Sequence, residues 1–90
     1  MKITDILSIN LRYYRKIYNL SQEKFAEVLG TSLAHLNKIE QKKVDVKLST
    51  ITKYTDNLKK FDKTLKIDSN DLLIYHKDRE TNYSRIDEKK

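Results

Sequence analysis

A single glycine and the absence of proline constrain the fold of this 90-residue chain more than any other feature. Without these two residues a chain has few positions that interrupt a helix, so a mostly helical fold is expected. The glycine, Gly30, lies within the stretch LSQEKFAEVLGTSLAHLNKIE, residues 20–40. Since only glycine adopts a positive φ without steric cost, we expect a sharp turn between two helices there.

The residues on either side of the glycine indicate where these two helices begin and what they bury. Ser21 can cap the first helix, with Glu23 in its first turn, and Thr31 can cap the second. Ala26 is small at a position where the helices would approach closely. The apolar inner face would consist of Phe25, Leu29, Leu36 and Ile39. This combination is typical of a helix-turn-helix, whose second helix enters the DNA major groove.

Composition limits the chain to one modest helical domain. The mean hydropathy of −0.76 predicts a soluble protein, and the absence of cysteine excludes disulfides, thiolate zinc sites and cysteine nucleophiles. No apolar run approaches the ~20 residues of a membrane span, and residues 1–20 lack the uncharged core of a signal peptide. We therefore expect a cytoplasmic protein with no membrane partner.

The positive charge is concentrated in the part of the chain that contains the predicted turn. Residues 1–67 carry 14 Lys and Arg against 7 Asp and Glu, whereas residues 68–90 carry 5 against 6. A basic surface of this kind favours nucleic acid as a partner. Alternatively, lysine is simply the ordinary surface residue of this chain, since 15 of its 19 basic residues are lysines.

Apolar residues at spacings of three and four predict a first helix over residues 3–18 and a fourth over residues 48–60. The first stripe consists of Ile3, Ile6, Leu7, Leu11, Tyr14, Ile17 and Tyr18, and the second of Leu48, Ile51, Tyr54 and Leu58. Arg12, Arg15 and Lys16 lie on the other face of the first helix. Asn19 can adopt the left-handed conformation at its end.

The C-terminal third predicts one further helix and then a tail. Residues 63–67 could form a helical turn, a loop or a short C-terminal strand. Asp68 or Ser69 can cap a fifth helix that buries Leu72 and Leu73, while residues 77–90 are polar, without periodicity, and predict a flexible tail. The sequence thus predicts a compact all-α domain of five helices over residues 1–76.

Several short segments, in this order and spacing, resemble the Cro/CI-type (Xre-like) helix-turn-helix transcriptional regulators. They are LRYYR, LSQEKFA, the glycine turn, the IE that ends the recognition helix and the LST that begins helix four. The resemblance implies a lambda-repressor-like fold with the helix-turn-helix over residues 21–40. Two features depart from the family: the loop after the recognition helix has Lys42 and Val46 where glycine and proline are frequent, and Thr31 follows the turn glycine in place of an aliphatic residue.

The resemblance also implies a function, which is sequence-specific binding of double-stranded DNA by a dimeric transcriptional repressor. Helix 31–40 would enter the major groove and contact base edges through Ser32, Leu33, Ala34, Asn37 and Lys38. Asn37 can pair with adenine and Lys38 with guanine. Phosphate contacts would come from Gln22, Lys42, Lys43 and Lys47. Arg15 and Glu40 would form a partly buried ion pair with a structural role.

A homodimer would use apolar residues beyond the fourth helix, because these exceed what a small core needs. They are Phe61, Leu65, Ile67, Leu72, Ile74 and Tyr75. The use of lysine, asparagine and isoleucine indicates an A+T-rich bacterial or mobile-element genome.

Two other functions fit parts of the sequence. The chain could be an antitoxin that binds DNA and a partner toxin, with its polar tail folding on that partner. It could also be a protein-interaction module that has lost DNA binding, which apolar Leu33 and Ala34 would favour. An enzyme is not expected, because neither His35 nor His76 has a cysteine or an acidic pair near it. No cofactor or metal is predicted.

Overall fold

Helices carry all the regular structure of residues 2–79, the part of the chain that the computed structural model describes. The elements are α1 (Ile3–Ile17), α2 (Gln22–Leu29), α3 (Leu33–Glu40), α4 (Leu48–Phe61), a 3₁₀ helix (Ser69–Leu73) and a single turn, α5 (Lys77–Arg79). The all-α fold is confirmed, with the 3₁₀ helix in the place of the predicted fifth helix. Residues 63–67 form a turn and a loop, not a strand. Within this part of the chain no helix has the length and apolarity to cross a membrane.

The turn between α2 and α3 depends on two serines and the glycine. Ser21 Oγ accepts a hydrogen bond from the Lys24 backbone N–H at 3.1 Å, which caps α2 as predicted. Gly30 ends α2 in the left-handed conformation, at φ 78°. The cap of α3 is Ser32, whose Oγ accepts from the His35 N–H at 3.0 Å, so the prediction of Thr31 was wrong by one residue. α3 accordingly begins at Leu33.

Helix α4 closes the turn by satisfying the last carbonyls of α2. Lys53 Nζ donates to the Gly30 carbonyl at 2.9 Å, and Asn57 Nδ2 donates to the Leu29 carbonyl at 2.7 Å. A cation at this end also interacts favourably with the helix dipole. The backbone angle favours glycine, and a Cβ atom on Gly30 would lie 3.0 Å from Asn57 Nδ2, so this side chain would have to shift to admit it.

Helix α1 is buried on more sides than its predicted stripe indicated. All residues from Leu7 to Leu11 are buried, whereas Ile3 and Ile17, at the ends of the stripe, are exposed. The reason is that α1 packs between α3 on one side and the 3₁₀ helix on the other. Two polar residues of this segment therefore face neighbouring backbone, and Ser8 Oγ donates to the Glu40 carbonyl at 2.7 Å.

Asn10, the second of these polar residues, fastens the C-terminal segment to α1. Its Nδ2 donates to the carbonyls of Leu72 and Ile74 at 2.8 and 2.9 Å, and its Oδ1 accepts from Arg79 Nη1 at 2.8 Å. The Arg79 guanidinium also stacks 4.1 Å from the ring centre of Tyr13. The tail was predicted to begin at residue 77, but α5 packs on α1. The rest of that tail, residues 80–90, lies outside the described residues.

The ends of the C-terminal elements are fixed by aspartates. Asp68 caps the 3₁₀ helix, as predicted, by accepting from the Asn70 N–H at 2.9 Å. At the end of α4, Asp62 accepts from the Tyr18 hydroxyl at 2.8 Å and from the Thr64 hydroxyl at 2.6 Å. These bonds lower the pKa of the Asp62 carboxyl, while burial and the bond to Asp62 raise the pKa of Tyr18. The hydroxyl of Tyr18 thus remains a donor that joins α1 to α4.

Candidate nucleic-acid interface

One face of α3 presents most of the residues predicted to contact bases. Leu36, Ile39 and Glu40 are buried, because α3 packs this side against α1 and α2. The opposite side is exposed and includes Leu33, which is 45% exposed. All five predicted base contacts lie at exposed positions, namely Ser32, Leu33, Ala34, Asn37 and Lys38. Ser32 additionally serves as the cap of α3, so its hydroxyl already accepts one hydrogen bond.

A second amide side chain orients Asn37. Gln41, one turn later, donates from Nε2 to Asn37 Oδ1 at 3.0 Å. In this arrangement Asn37 Oδ1 is an acceptor, and the amide nitrogen of Asn37 remains a donor. No role was predicted for Gln41, although its i,i+4 spacing from Asn37 is a pattern that could have revealed this contact.

A buried ion pair braces α3 against α1. Arg15 Nε lies 2.9 Å from Glu40 Oε2, and Arg15 Nη2 lies 3.0 Å from Glu40 Oε1, which is the bidentate geometry of the strongest such pairs. Both residues are more than nine-tenths buried. Because Ser8 also holds the backbone carbonyl of Glu40, the C-terminal end of α3 is fixed to α1 by side-chain and main-chain contacts.

Gln22, the predicted phosphate contact at the start of α2, joins the same network. Its Nε2 donates to Glu40 Oε1 at 3.0 Å. An amide nitrogen carries two N–H groups, so this bond engages only one of them. The network therefore fixes the direction in which the Gln22 amide points.

An open concavity of about 430 Å³ lies between α1 and the C-terminal half of α3. Its lining consists of Arg12, Arg15, Lys16, Gln22, Asn37, Glu40 and Gln41. Arg12 and Lys16 come from the polar face of α1, and neither was predicted to contact DNA. Their i,i+4 spacing indicates a shared face, but which helix lies opposite depends on the tertiary fold.

The loop after α3 presents three lysines and contains one unusual backbone conformation. Lys42, Lys43 and Lys47 are all exposed. Lys42 has φ 64°, and its N–H donates to the Ile39 carbonyl at 3.0 Å, which ends α3 in the left-handed conformation. At Lys42 the loop thus has a positive φ, a backbone conformation that glycine usually adopts, although the residue is a lysine.

Replacing Lys42 by glycine should stabilise the fold. The left-handed conformation costs a residue with a Cβ roughly 1–2 kcal/mol, part of which is offset by the greater freedom of glycine in the unfolded chain. We expect Lys42→Gly to raise the free energy of unfolding by about 0.5–1 kcal/mol in urea denaturation. Lys43→Gly, which carries the same charge change outside this conformation, is the control and should not stabilise. Equal effects from both variants would contradict the argument.

The apolar residues predicted for dimerisation divide into three groups by exposure. Phe61, Ile74 and Tyr75 are 48%, 48% and 40% exposed. Leu65 and Ile67 are half-buried against the core. Leu72 is fully buried, so its assignment to a dimer contact was wrong, because the 3₁₀ helix turns this side chain inward.

Comparisons with known proteins agree with this geometry. The family model described as helix-turn-helix matches residues 11–72. Control protein C.SmaI of Serratia marcescens is 45% identical over 51 residues, which are 57% of this chain and 61% of that protein. The match thus spans about three fifths of the length of this relative. The crystal structure of the hypothetical transcription factor NHTF from Neisseria superposes with a TM-score of 0.70 at 24% identity, covering 89% of this chain and 84% of that one, which shows a shared fold.

Proposed function

The chain belongs to the Cro/CI-type (Xre-like) helix-turn-helix family, and on this premise we propose that it is a sequence-specific DNA-binding transcriptional regulator. The observation that carries the proposal is the exposed face of α3, held in place from behind by the buried pair of Arg15 and Glu40. The similar protein of Serratia marcescens is a control protein, and the Neisseria protein that shares the fold is a hypothetical transcription factor, which supports the proposal. A regulator of this kind works in the cytoplasm, and membership of this family agrees with a non-enzymatic role.

In this proposal α3 lies in the major groove of double-stranded DNA. Its eight residues are about 12 Å long, and the groove is wide enough to admit a helix. Asn37 would pair with adenine, using the amide nitrogen that takes no part in the bond with Gln41, and Lys38 would donate to guanine. Leu33 and Ala34 would pack on thymine methyl groups, while Ser32 reaches a base or a phosphate at the entry of the helix.

Phosphate contacts would flank the groove on both sides of α3. Gln22 would use the N–H that does not bind Glu40, together with the backbone N–H groups at the start of α2. Lys42, Lys43 and Lys47 would lie along the sugar–phosphate backbone beyond the end of α3. The formal net charge of +6 favours this association.

We further propose a homodimer that acts as a repressor. One module of this size makes few base contacts, and a second copy would double them on half-sites roughly 34–36 Å apart. The exposed apolar side chains of Phe61, Ile74 and Tyr75 are candidates for the contact, with Leu65 and Ile67 at its edge. A dimer bound across a promoter would repress by occupying it. Sedimentation at tens of micromolar that shows only monomer, with and without DNA, would refute this arrangement.

Selection from a pool of randomised duplex DNA tests the main proposal. The bound fraction would be sequenced after selection at two salt concentrations. We expect a palindromic motif whose half-sites are about ten base pairs apart. Salt-sensitive binding without a motif would indicate that the protein contacts only phosphates. No binding at all would favour the protein-interaction module. The antitoxin hypothesis depends on residues 77–90, most of which lie outside the described residues, so co-purification with a toxin would be needed to favour it.

Substitutions on α3 should distinguish sequence-specific contacts to bases from the general attraction of positive charge to DNA. On the selected operator, we expect Asn37→Ala and Lys38→Ala each to lose about 1–3 kcal/mol of binding free energy and to relax the preference at one base pair. On random duplex, Asn37→Ala should bind like the wild type. Lys59→Ala, an exposed lysine at the end of α4, is the control for Lys38→Ala. Uniform weakening on both duplexes by Asn37→Ala would refute its role as a base contact.

A further inference from the structure

We propose that α1 sets the spacing between the two half-sites of the operator, with Asn10 and Arg79 as positioning residues. On one side α1 holds the recognition helix α3, and on the other it holds the segment that carries the proposed dimer contact. The inference rests on the proposed dimeric binding of DNA and adds to it two residues that contact neither a base nor the second copy. It is carried by the hydrogen bonds that α1 makes to parts of the chain distant in sequence.

Ser8 and Asn10 hold two different parts of the chain on opposite sides of α1. Because an α-helix has about 3.6 residues per turn, two such positions differ by about 200° around the axis and by about 3 Å along it. Ser8 Oγ donates to the Glu40 carbonyl, at the end of α3, at 2.7 Å. Asn10 Nδ2 donates to the carbonyls of Leu72 and Ile74 at 2.8 and 2.9 Å. The end of α3 and the C-terminal segment are thus attached to α1 at the same level.

The attachment of α3 to α1 is rigid. Besides the bond from Ser8 to its carbonyl, Glu40 forms the bidentate pair with Arg15 at 2.9 and 3.0 Å. All three residues are buried, so a rotation of α3 against α1 would leave buried polar groups without partners. The direction of the recognition helix is therefore fixed relative to α1.

The attachment of the C-terminal segment holds the proposed dimer contact from both ends. Ile74 and Tyr75 are exposed, but the carbonyl of Ile74 is bound to the amide nitrogen of Asn10. Four residues after Tyr75, Arg79 Nη1 donates to the amide oxygen of Asn10 at 2.8 Å, and its guanidinium lies 4.1 Å from the ring centre of Tyr13. One buried amide thus binds the segment before and after its exposed apolar pair. A contact surface that is fixed in advance loses little conformational freedom when a second copy binds.

These contacts together determine how two recognition helices would lie in the dimer. Half-sites one helical turn of DNA apart are separated by about 34–36 Å. Moving one half-site by a base pair shifts it by about 3.4 Å and rotates it by about 35° around the duplex. A rigid dimer can bind such an operator only if the DNA deforms, which costs free energy. Rigid attachment to α1 therefore makes the protein select the spacing of the half-sites as well as their sequence.

Operators of altered spacing test this inference. Arg79→Met keeps an apolar stem but removes the bond to Asn10 and the cation beside Tyr13. Lys59→Met is the control, because it removes the same charge at an exposed position near the end of α4. Fluorescence anisotropy would measure binding to the selected operator, to operators whose half-sites are one base pair closer or further apart, and to a single half-site. Urea denaturation would establish that both variants are folded.

We expect the wild type and Lys59→Met to bind the altered operators about tenfold more weakly than the selected one, because the DNA has to deform. In Arg79→Met this ratio should fall to about threefold, since the loosened segment moves in place of the DNA. The base preference on a single half-site should be unchanged. Equal ratios in the wild type and in Arg79→Met would overturn the inference and leave the proposed dimer intact. A wild type that tolerates every spacing equally would refute the proposed dimer, and the inference with it.

Amide hydrogen exchange tests the attachment without DNA. In Arg79→Met, exchange should accelerate in residues 69–79, while the amides of α3 keep their wild-type rates. Unchanged exchange in residues 69–79 would overturn the inference, because Arg79 would then not hold the segment. Equal acceleration throughout the chain would also overturn it, since the variant would then be destabilised as a whole. Because no duplex is present, this result is independent of whether the proposed binding of DNA is correct.

Discussion

Glu40→Ala is expected to lower the free energy of unfolding by about 3–5 kcal/mol, because it leaves the buried guanidinium of Arg15 without its carboxylate. Gln22 would lose its acceptor in the same step. Domains of this size have a total stability of about 5–15 kcal/mol, so this variant would lose a large part of its stability. Urea denaturation followed by circular dichroism measures the loss.

Removing both charges of the pair is the control. Arg15→Met/Glu40→Leu replaces a buried ion pair by apolar side chains, and such replacements are frequently neutral or stabilising. We expect this double variant to be more stable than Glu40→Ala, although it has lost more polar contacts. A loss below about 1 kcal/mol for Glu40→Ala would contradict the argument. Loss of DNA binding in Glu40→Ala would report unfolding, and the folded double variant would reveal whether the pair contributes to binding itself.

Asn10→Ala is expected to cost about 2–4 kcal/mol, because each buried carbonyl that loses its donor costs roughly 1–3 kcal/mol. The carbonyls of Leu72 and Ile74 would both lose theirs, and Arg79 would lose its acceptor. Since these groups lie in and after the 3₁₀ helix, the effect should be largest there. Relative to the wild type, amide hydrogen exchange in this variant should accelerate more in residues 69–75 than in α2 and α3.

Asn57→Ala provides the comparison for Asn10→Ala. Asn57 is half-buried and also donates to a backbone carbonyl, but it makes one such bond, to Leu29 at 2.7 Å. We expect it to cost about 1 kcal/mol and to leave exchange in residues 69–75 unchanged. Equal costs for the two variants, or uniform exchange in Asn10→Ala, would show that Asn10 does not hold the C-terminal segment specifically.

Features set by neighbouring residues were predictable from the sequence. The turn at Gly30, the cap at Ser21, the left-handed Asn19 and the cap at Asp68 all depend on residues within one or two turns of each other. The error at Thr31 belongs to the same class, because two adjacent residues can both cap a helix. The positions of the helices were therefore predictable from neighbouring residues, and the predicted boundaries differ from the observed ones by a residue or two.

Features that depend on distant residues were not predictable in this way. No role was predicted for Ser8 or Asn10, because their partners lie more than 30 and 60 residues away along the chain. For the same reason the apolar pattern could not show that Leu72 is core while Ile74, two residues later, is exposed. The concavity of the candidate interface exists only where α1 lies beside α3. The sequence alone therefore could not show that Arg12 and Lys16 line it.

The hydrogen bonds that Ser8 and Asn10 make to later parts of the chain affect how this domain folds during its synthesis in a cell. During synthesis α1 emerges first, but its partners at Glu40 and at Leu72 and Ile74 emerge later. We expect the nascent helix-turn-helix to remain incompletely folded until residue 74 has left the ribosome. A premature stop codon between residues 41 and 71 would then yield a fragment that the cell degrades, even though every residue that we propose to contact bases had been translated.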